Sequence, residues 1–253
     1  MFPNTNTLQQ FHNFTLELIL ESNEILLENF ASITFEHKNT NDLVTKVDLE
    51  VEEFYRTRIQ KQYPEHSFYG EENGGEVNSN GYTWLVDPLD GTNNYAIGIP
   101  VFGTAITLLH NNKVVISVIS CPFVNKIYSG ILEQGVFFNA QKYSKPTFQS
   151  SKRISILVGY DIVRDKITHS QYLNYKKQMS LTHSRIIESW CPVSDYILLL
   201  EGKIDKVVLN NNEFYDSLPG IFLAKELGLQ VLDSNGLDYE YQGGLKISCS
   251  IEN

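Results

Sequence analysis

Cysteine is scarce in this 253-residue chain: Cys121, Cys191 and Cys249 stand far apart and odd in number. That excludes a disulfide framework and a zinc cluster and leaves buried, reduced thiols as the expectation. Six histidines are dispersed with no Cys/His cluster, so nothing suggests a histidine or cysteine nucleophile, and His66 and Cys121 read as structural. No Gly-x-Gly-x-x-Gly turn occurs, which removes a dinucleotide-dependent oxidoreductase. No apolar run reaches the roughly 20 residues that cross a bilayer. The start, MFPNTNTLQQ, lacks the basic and apolar stretches of a secretory leader, and a soluble, cytoplasmic protein is expected. Positive charge is in deficit, 20 Lys and Arg against 30 Asp and Glu, for a net charge of −10. Such a chain repels phosphate backbones, which argues against nucleic-acid and anionic-membrane partners. A small phosphate remains possible, because a bound divalent cation can reverse the local sign.

What is present is a foldable core: 42% of residues are apolar and 20% charged. Apolar residues recur at helical spacing from about Thr7 to Phe30 and from Asp48 to Gln62. His66–Tyr69 and Tyr82–Val86 read as strands, and Val101–Leu109 and Lys113–Ile119 as a pair around the turn His110-Asn111-Asn112. The polar stretch Lys142–Arg153, with Pro146, is expected to divide two lobes, about 1–148 and 149–253. Beyond it strands (154–158, 204–209, 231 and 245–249) alternate with helices (194–200 and 216–227), which predicts an α/β layer after a more antiparallel first half.

Acidic residues sit where these elements end. Trp84-Leu85-Val86-Asp87-Pro88-Leu89-Asp90-Gly91-Thr92 runs a hydrophobic strand into a turn with two aspartates three positions apart. Pro88 stiffens the turn and Gly91 permits close backbone approach. Two such carboxylates can share a hard divalent cation, to which the Leu89 carbonyl can add an oxygen. A helix starting after Gly91 would turn N–H groups toward an anion. A plain surface turn explains the tetrapeptide equally well. Glu71 and Glu72 follow the His66–Tyr69 strand at its carboxyl end, where open sheets place ligands. Asp216 reads first as the N-cap of a helix, with its side chain still able to meet a metal, and Asp48 reads as a cap.

In this order the segments resemble the inositol monophosphatase family, the lithium-sensitive, magnesium-dependent phosphatase superfamily that also holds fructose-bisphosphatases. They are Asp42-Leu43-Val44-Thr45 with Asp48, His66 to Glu72, Trp84 to Tyr95 with Gly98-Ile99-Pro100, and Tyr215-Asp216 ahead of Pro219-Gly220. The resemblance implies a layered α-β-α-β-α sandwich, a single phosphatase domain and a homodimer. It assigns Glu71, Asp87, the Leu89 carbonyl, Asp90 and Asp216 to metal. Thr92 and Asp48 form a pair that helps Glu71 orient the attacking water. By the same resemblance Gly91 and Thr92 are expected to hold the phosphate through backbone N–H groups, and Asp90, Asp216 and Trp190 to border the substrate. The implied cofactor is two or three Mg²⁺ ions, replaceable by Mn²⁺ and inhibited by Ca²⁺ or Li⁺, acting on a small phosphate ester.

The substrate end departs from the family. Where small residues usually follow an arginine, this chain has Ser189-Trp190-Cys191-Pro192-Val193, and Leu209 occupies the place of a pocket glutamate. Glu213 is a candidate replacement. Trp190 could stack on a base or ring, though core packing is the favoured expectation for a lone tryptophan in an apolar segment. These departures count against inositol phosphate itself as the substrate of an otherwise inositol monophosphatase-like enzyme. A sugar, polyol or amino-alcohol phosphate leads, with a 3′-phosphoadenosine-type nucleotide or a catalytically weak binding role as alternatives.

Overall fold

A computed structural model describes residues 3–30, 35–39, 42–158 and 166–253; the side chains of residues 35–39, 42–44, 158 and 166–168 lie outside what it describes. Helix α1 (Thr5–Asn29) begins at Asn4, whose side chain accepts the Thr7 N–H at 3.0 Å, and it buries Leu8, Phe11, Leu18, Ile19 and Leu26 along one stripe. A hairpin of β1 (Phe35–Asn39) and β2 (Asp42–Thr45) leads into α2 (Lys46–Gln62). A capping box closes the head of α2: the Thr45 N–H donates to Asp48, and the Asp48 N–H donates to the Thr45 hydroxyl.

The main sheet contains β3 (Ser67–Gly70), β4 (Gly74–Gly75), β5 (Tyr82–Asp90), β6 (Gly103–His110), β7 (Lys113–Cys121), β8 (Lys126–Ile131), β9 (Gly135–Phe138) and β10 (Gln141–Lys142). Its order is β10-β9-β8-β7-β6-β5-β3-β4, antiparallel except between β3 and β5. A short helix, α3 (Thr92–Ala96), links β5 to β6. The second half comprises β11 (Arg153–Val158), α4 (Lys166–Thr182), β12 (Arg185–Ile187), α5 (Pro192–Leu200), β13 (Lys206–Glu213), α6 (Phe214–Glu226), β14 (Gln230–Leu232) and β15 (Lys246–Glu252). Its sheet runs β12-β11-β13-β15-β14, with β11 parallel to both neighbours.

Alternation along the strands builds the layers. Trp84 and Val86 on β5, with Ile106 and Leu108 on β6, pack against α1 and α2. Leu85, Ala105 and Leu109 point the other way, into a core shared with Val193, Tyr196 and Ile197 of α5 and Leu218 and Leu223 of α6. The same core takes Leu157, Val207 and Leu209 from the second sheet, while Ile154, Ile156 and Val208 face Tyr172 of α4. The result is helix, sheet, helix, sheet, helix, the layered sandwich expected.

Several boundaries moved. β5 continues through the aspartate turn to Asp90, with a register shift against β6 between Asp87 and Asp90. The polar run Asn210–Glu213 belongs to β13, because it pairs with β15. Helix α6 starts at Phe214 with Glu213 in the N-cap position, so Asp216 lies inside the first turn and is not the cap. Helix α4 has no counterpart among the sequence expectations, since KITHSQYLNYKKQMSLT carries few apolar residues at helical spacing. Among the described residues no helix is long and apolar enough to cross a membrane.

Candidate metal and phosphate site

The bulge in β5 is the foundation. Pro88 has no N–H to give the ladder, and pairing resumes only at Asp90 opposite Gly103. The strand is thereby re-aimed, with Asp87 and Asp90 both buried at its end. Gly91 follows at φ 83° as the N-cap of α3. A side chain there would meet the Val101 carbonyl at 2.9 Å and the Cys191 Cβ at 3.1 Å, so both conformation and space demand glycine.

Glu71 is delivered by β3, which lies parallel to β5, and its N–H donates to the Val86 carbonyl at 3.0 Å. Asp216 comes from the other half of the chain. An aromatic contact brings its helix in: the Tyr69 ring meets Phe214 at 5.0 Å edge-on and stacks with Tyr215 at 6.3 Å. Tyr196 of α5 donates its hydroxyl to the Asp216 carbonyl at 3.0 Å. Carboxylate oxygens of Glu71, Asp87 and Asp216 consequently lie within 4.8 Å of one another.

Asp90 stands outside that group of three. Its Oδ2 accepts the Val193 N–H at 2.5 Å and faces the Cys191 thiol at 3.3 Å, which ties the turn to the head of α5. The Leu89 carbonyl accepts the Thr92 hydroxyl at 2.8 Å. The same hydroxyl is 3.0 Å from Asp48 Oδ1, so Asp48 and Thr92 are in contact across 44 residues of chain. Asp48 is thus both a capping residue and a neighbour of the turn.

The electrostatics are strained. Burial raises the Asp87 pKa well above the usual carboxylate range, and the charges of Glu71, Asp90 and Asp216 push it further. Burial lifts Asp90 to about 7, opposed by the hydrogen bonds from Val193 and Cys191. Asp48 is also raised by burial. Asp87 Oδ1 is buried with no hydrogen-bond partner, an arrangement that costs free energy unless something else satisfies it. Three clustered carboxylates, one of them with an orphaned oxygen, are hard donors and fit Mg²⁺.

Trp190 corrects the expectation of core packing. It is 61% exposed, at φ 58°. Its apolar neighbours Cys191 and Val193 are the buried ones. Glu213, the candidate replacement, ion-pairs with Lys246. One contributor escaped the sequence altogether. Glu52, fully buried on α2, accepts the N–H groups of Glu72 at 2.8 Å and Asn73 at 3.2 Å, and so clamps the loop directly after Glu71. Its spacing of four from Asp48, on one helix face, was the available signal.

A sequence model described as the inositol monophosphatase family matches residues 7–249. "Inositol monophosphatase 2" of Solanum lycopersicum is 31% identical over 245 residues, spanning 92% of this chain and 91% of that protein. "Fructose-1,6-bisphosphatase/inositol-1-monophosphatase" of Aquifex aeolicus is 28% identical over 212 residues, spanning 83% and 80%. The solved structure "Thermotoga maritima IMPase TM1415" shares the fold with a TM-score of 0.80 at 22% identity, over 95% of this chain and 91% of that one.

Proposed function

This chain belongs to the inositol monophosphatase family, and on that premise we propose that it is a Mg²⁺-dependent phosphomonoesterase acting on a small phosphorylated metabolite. The observation that carries the reading is the trio Glu71, Asp87 and Asp216, with oxygens within 4.8 Å of one another and one buried oxygen of Asp87 left without a partner. These three, with Asp90 and the Leu89 carbonyl, hold the metal. Bound there, Mg²⁺ supplies positive charge against the phosphoryl dianion and acidifies a coordinated water.

The chain's own groups do the rest. Glu71 sits on a fixed loop and orients the attacking water, accepting its proton. The Asp48–Thr92 contact, 3.0 Å long, holds the hydroxyl that helps aim that water. The Gly91 and Thr92 N–H groups at the head of α3 receive phosphate oxygens, preorganised donors whose value grows in a site from which water is excluded. Asp90, Asp216 and Trp190 border the ester. A homodimer belongs to the same reading.

The test is release of inorganic phosphate from a panel of sugar, polyol, amino-alcohol and nucleoside phosphates. Release is expected with Mg²⁺ and should vanish with EDTA. Millimolar Li⁺ at low Mg²⁺ should slow it. Silence across the whole panel with Mg²⁺ supplied would overturn the assignment.

A further inference from the structure

Trp190 is a large aromatic residue placed where its ring gains little from the fold. It is 61% exposed and its backbone is left-handed, at φ 58°, a conformation disfavoured for any residue with a Cβ. The surroundings impose it. The Ser189 hydroxyl donates to the Cys191 carbonyl at 3.1 Å and accepts the Cys191 N–H at 3.1 Å, pinching the chain around Trp190.

One flank of Trp190 is fastened to α3 and the other to the aspartate turn that precedes it. The Ser189 carbonyl accepts from the Asn94 amide of α3 at 2.7 Å. The Cys191 thiol is 3.3 Å from Asp90 Oδ2, and its Cβ lies 3.1 Å from where a Cβ on Gly91 would stand. Neighbouring Cα atoms are about 3.8 Å apart, so the backbone that carries the indole stands beside Gly91 and Thr92, where the phosphate is proposed to sit. Carboxylates that would read the hydroxyls of a polyol are not offered by the positions expected to carry them. Leu209 is buried in the core and Glu213 is paired with Lys246.

We propose that Trp190 is a specificity-determining residue whose exposed indole stacks on the leaving group, so that the site selects a nucleoside monophosphate over a polyol phosphate. This rests on the phosphatase reading above and names its substrate class. Every nucleobase offers a π-face, and a rigid aromatic side chain is a suitable platform for it.

The experiment compares adenosine monophosphate with glycerol phosphate, in Mg²⁺, for the wild type, Trp190→Gly and Trp190→Phe. The ratio of kcat/KM for the nucleotide over glycerol phosphate should fall roughly ten- to hundredfold in Trp190→Gly, the range for losing a stacked aromatic, and Trp190→Phe should restore most of it. An unchanged ratio overturns the proposal. A second readout needs no turnover. The chain has two tryptophans, and Trp84 is fully buried, so Trp190 is the one solvent-borne ligands can reach. Adenosine monophosphate should quench its fluorescence saturably, glycerol phosphate should not, and Trp190→Phe should abolish the response. Turnover of glycerol phosphate with no quenching by the nucleotide sinks the stacking and leaves the phosphatase standing. Quenching with no phosphate released from either ester sinks the phosphatase reading and leaves the stacking.

Discussion

Two buried carboxylates, Glu52 on α2 and Asp87 on β5, have opposite surroundings. Glu52 is fully buried and satisfied: two backbone N–H groups, the Asn73 amide at 2.9 Å and Arg56 at 3.0 Å all point at it. Asp87 is 2% exposed and surrounded by its own kind, with Glu71, Asp90 and Asp216 all raising its pKa and Oδ1 without a partner. A charge that is only structural is compensated by the protein itself. A charge held uncompensated awaits compensation from outside, which is what a cation site requires. The contrast separates an acidic residue that builds the site from one that performs in it.

The contrast is broken most forcefully at Asp87. Asp87→Asn should lower turnover by roughly 10²–10³-fold or more, the scale of losing one preorganised electrostatic contact. The same change should stabilise the metal-free protein by about 1–3 kcal/mol, because a desolvated, repelled charge has been removed. Mg²⁺ should raise the melting temperature of the wild type and leave the variant unmoved. A metal-free Asp87→Asn protein less stable than the wild type would place Asp87 with Glu52, as a compensated structural charge.

At Glu52 the stability sign reverses. Glu52→Ala leaves two N–H groups and Arg56 facing a void, and should cost about 3–5 kcal/mol, the scale of breaking a buried ion pair. In a chain of this size each kcal/mol is worth roughly 2–4 °C in melting temperature. Any folded remainder should still respond to Mg²⁺. Thermal melts with and without the ion check both statements, and a neutral Glu52→Ala would mean the loop after Glu71 is held by something else.

A smaller effect comes from a buried group of the other sign. His12 accepts or donates a 2.8 Å hydrogen bond with Ser129, and burial lowers its pKa to about 4. Its folded value lies below its unfolded value near 6.5, so the unfolded chain binds the extra proton between those limits. The stability tied to neutral His12 is therefore complete above about pH 6.5 and is lost as pH falls toward 4, by roughly 2–3 kcal/mol. Asp87 acts oppositely: its folded pKa is raised, so its contribution falls as pH rises from the ordinary carboxylate range. The rise in metal-free stability between pH 4 and 6.5 should be steeper in Asp87→Asn than in the wild type, and flatter in His12→Gln. Denaturant midpoints across that window measure it.

What could be read in advance followed the range of the forces involved. The aspartate turn was legible because Pro88, Gly91 and a hydrophobic strand are local signals; periodicity gave an α/β layer after a more antiparallel half, and the five layers came from the family resemblance. The meeting of Asp216 with Glu71 was not in any spacing; it depends on Tyr69 receiving Phe214 and Tyr215 across the two halves of the core. Glu52 went unread because a glutamate on a helix is ordinarily solvated; its spacing of four from Asp48 marked a shared face, but only the fold shows which amides surround it. Trp190 was misjudged because apolar neighbours suggest a buried segment, whereas the Ser189 hydroxyl turns that one residue outward.

The smallest expected effect concerns that residue, and it separates placement for packing from placement for contact with a ligand. Truncating a tryptophan that fills a core costs about 3–5 kcal/mol. Trp190→Gly removes a mostly exposed ring from a left-handed backbone, where the Cβ costs roughly 1–2 kcal/mol, against about 0.5–1 kcal/mol for the added freedom of glycine in the unfolded chain. The balance predicts a gain of about half a kcal/mol in denaturant unfolding, alongside the loss of nucleotide preference. A destabilisation of several kcal/mol would show the indole working as core after all. A gain in stability coupled to a loss of selectivity would place Trp190 beside Asp87, as a residue kept in an unfavourable state because of what it is there to meet.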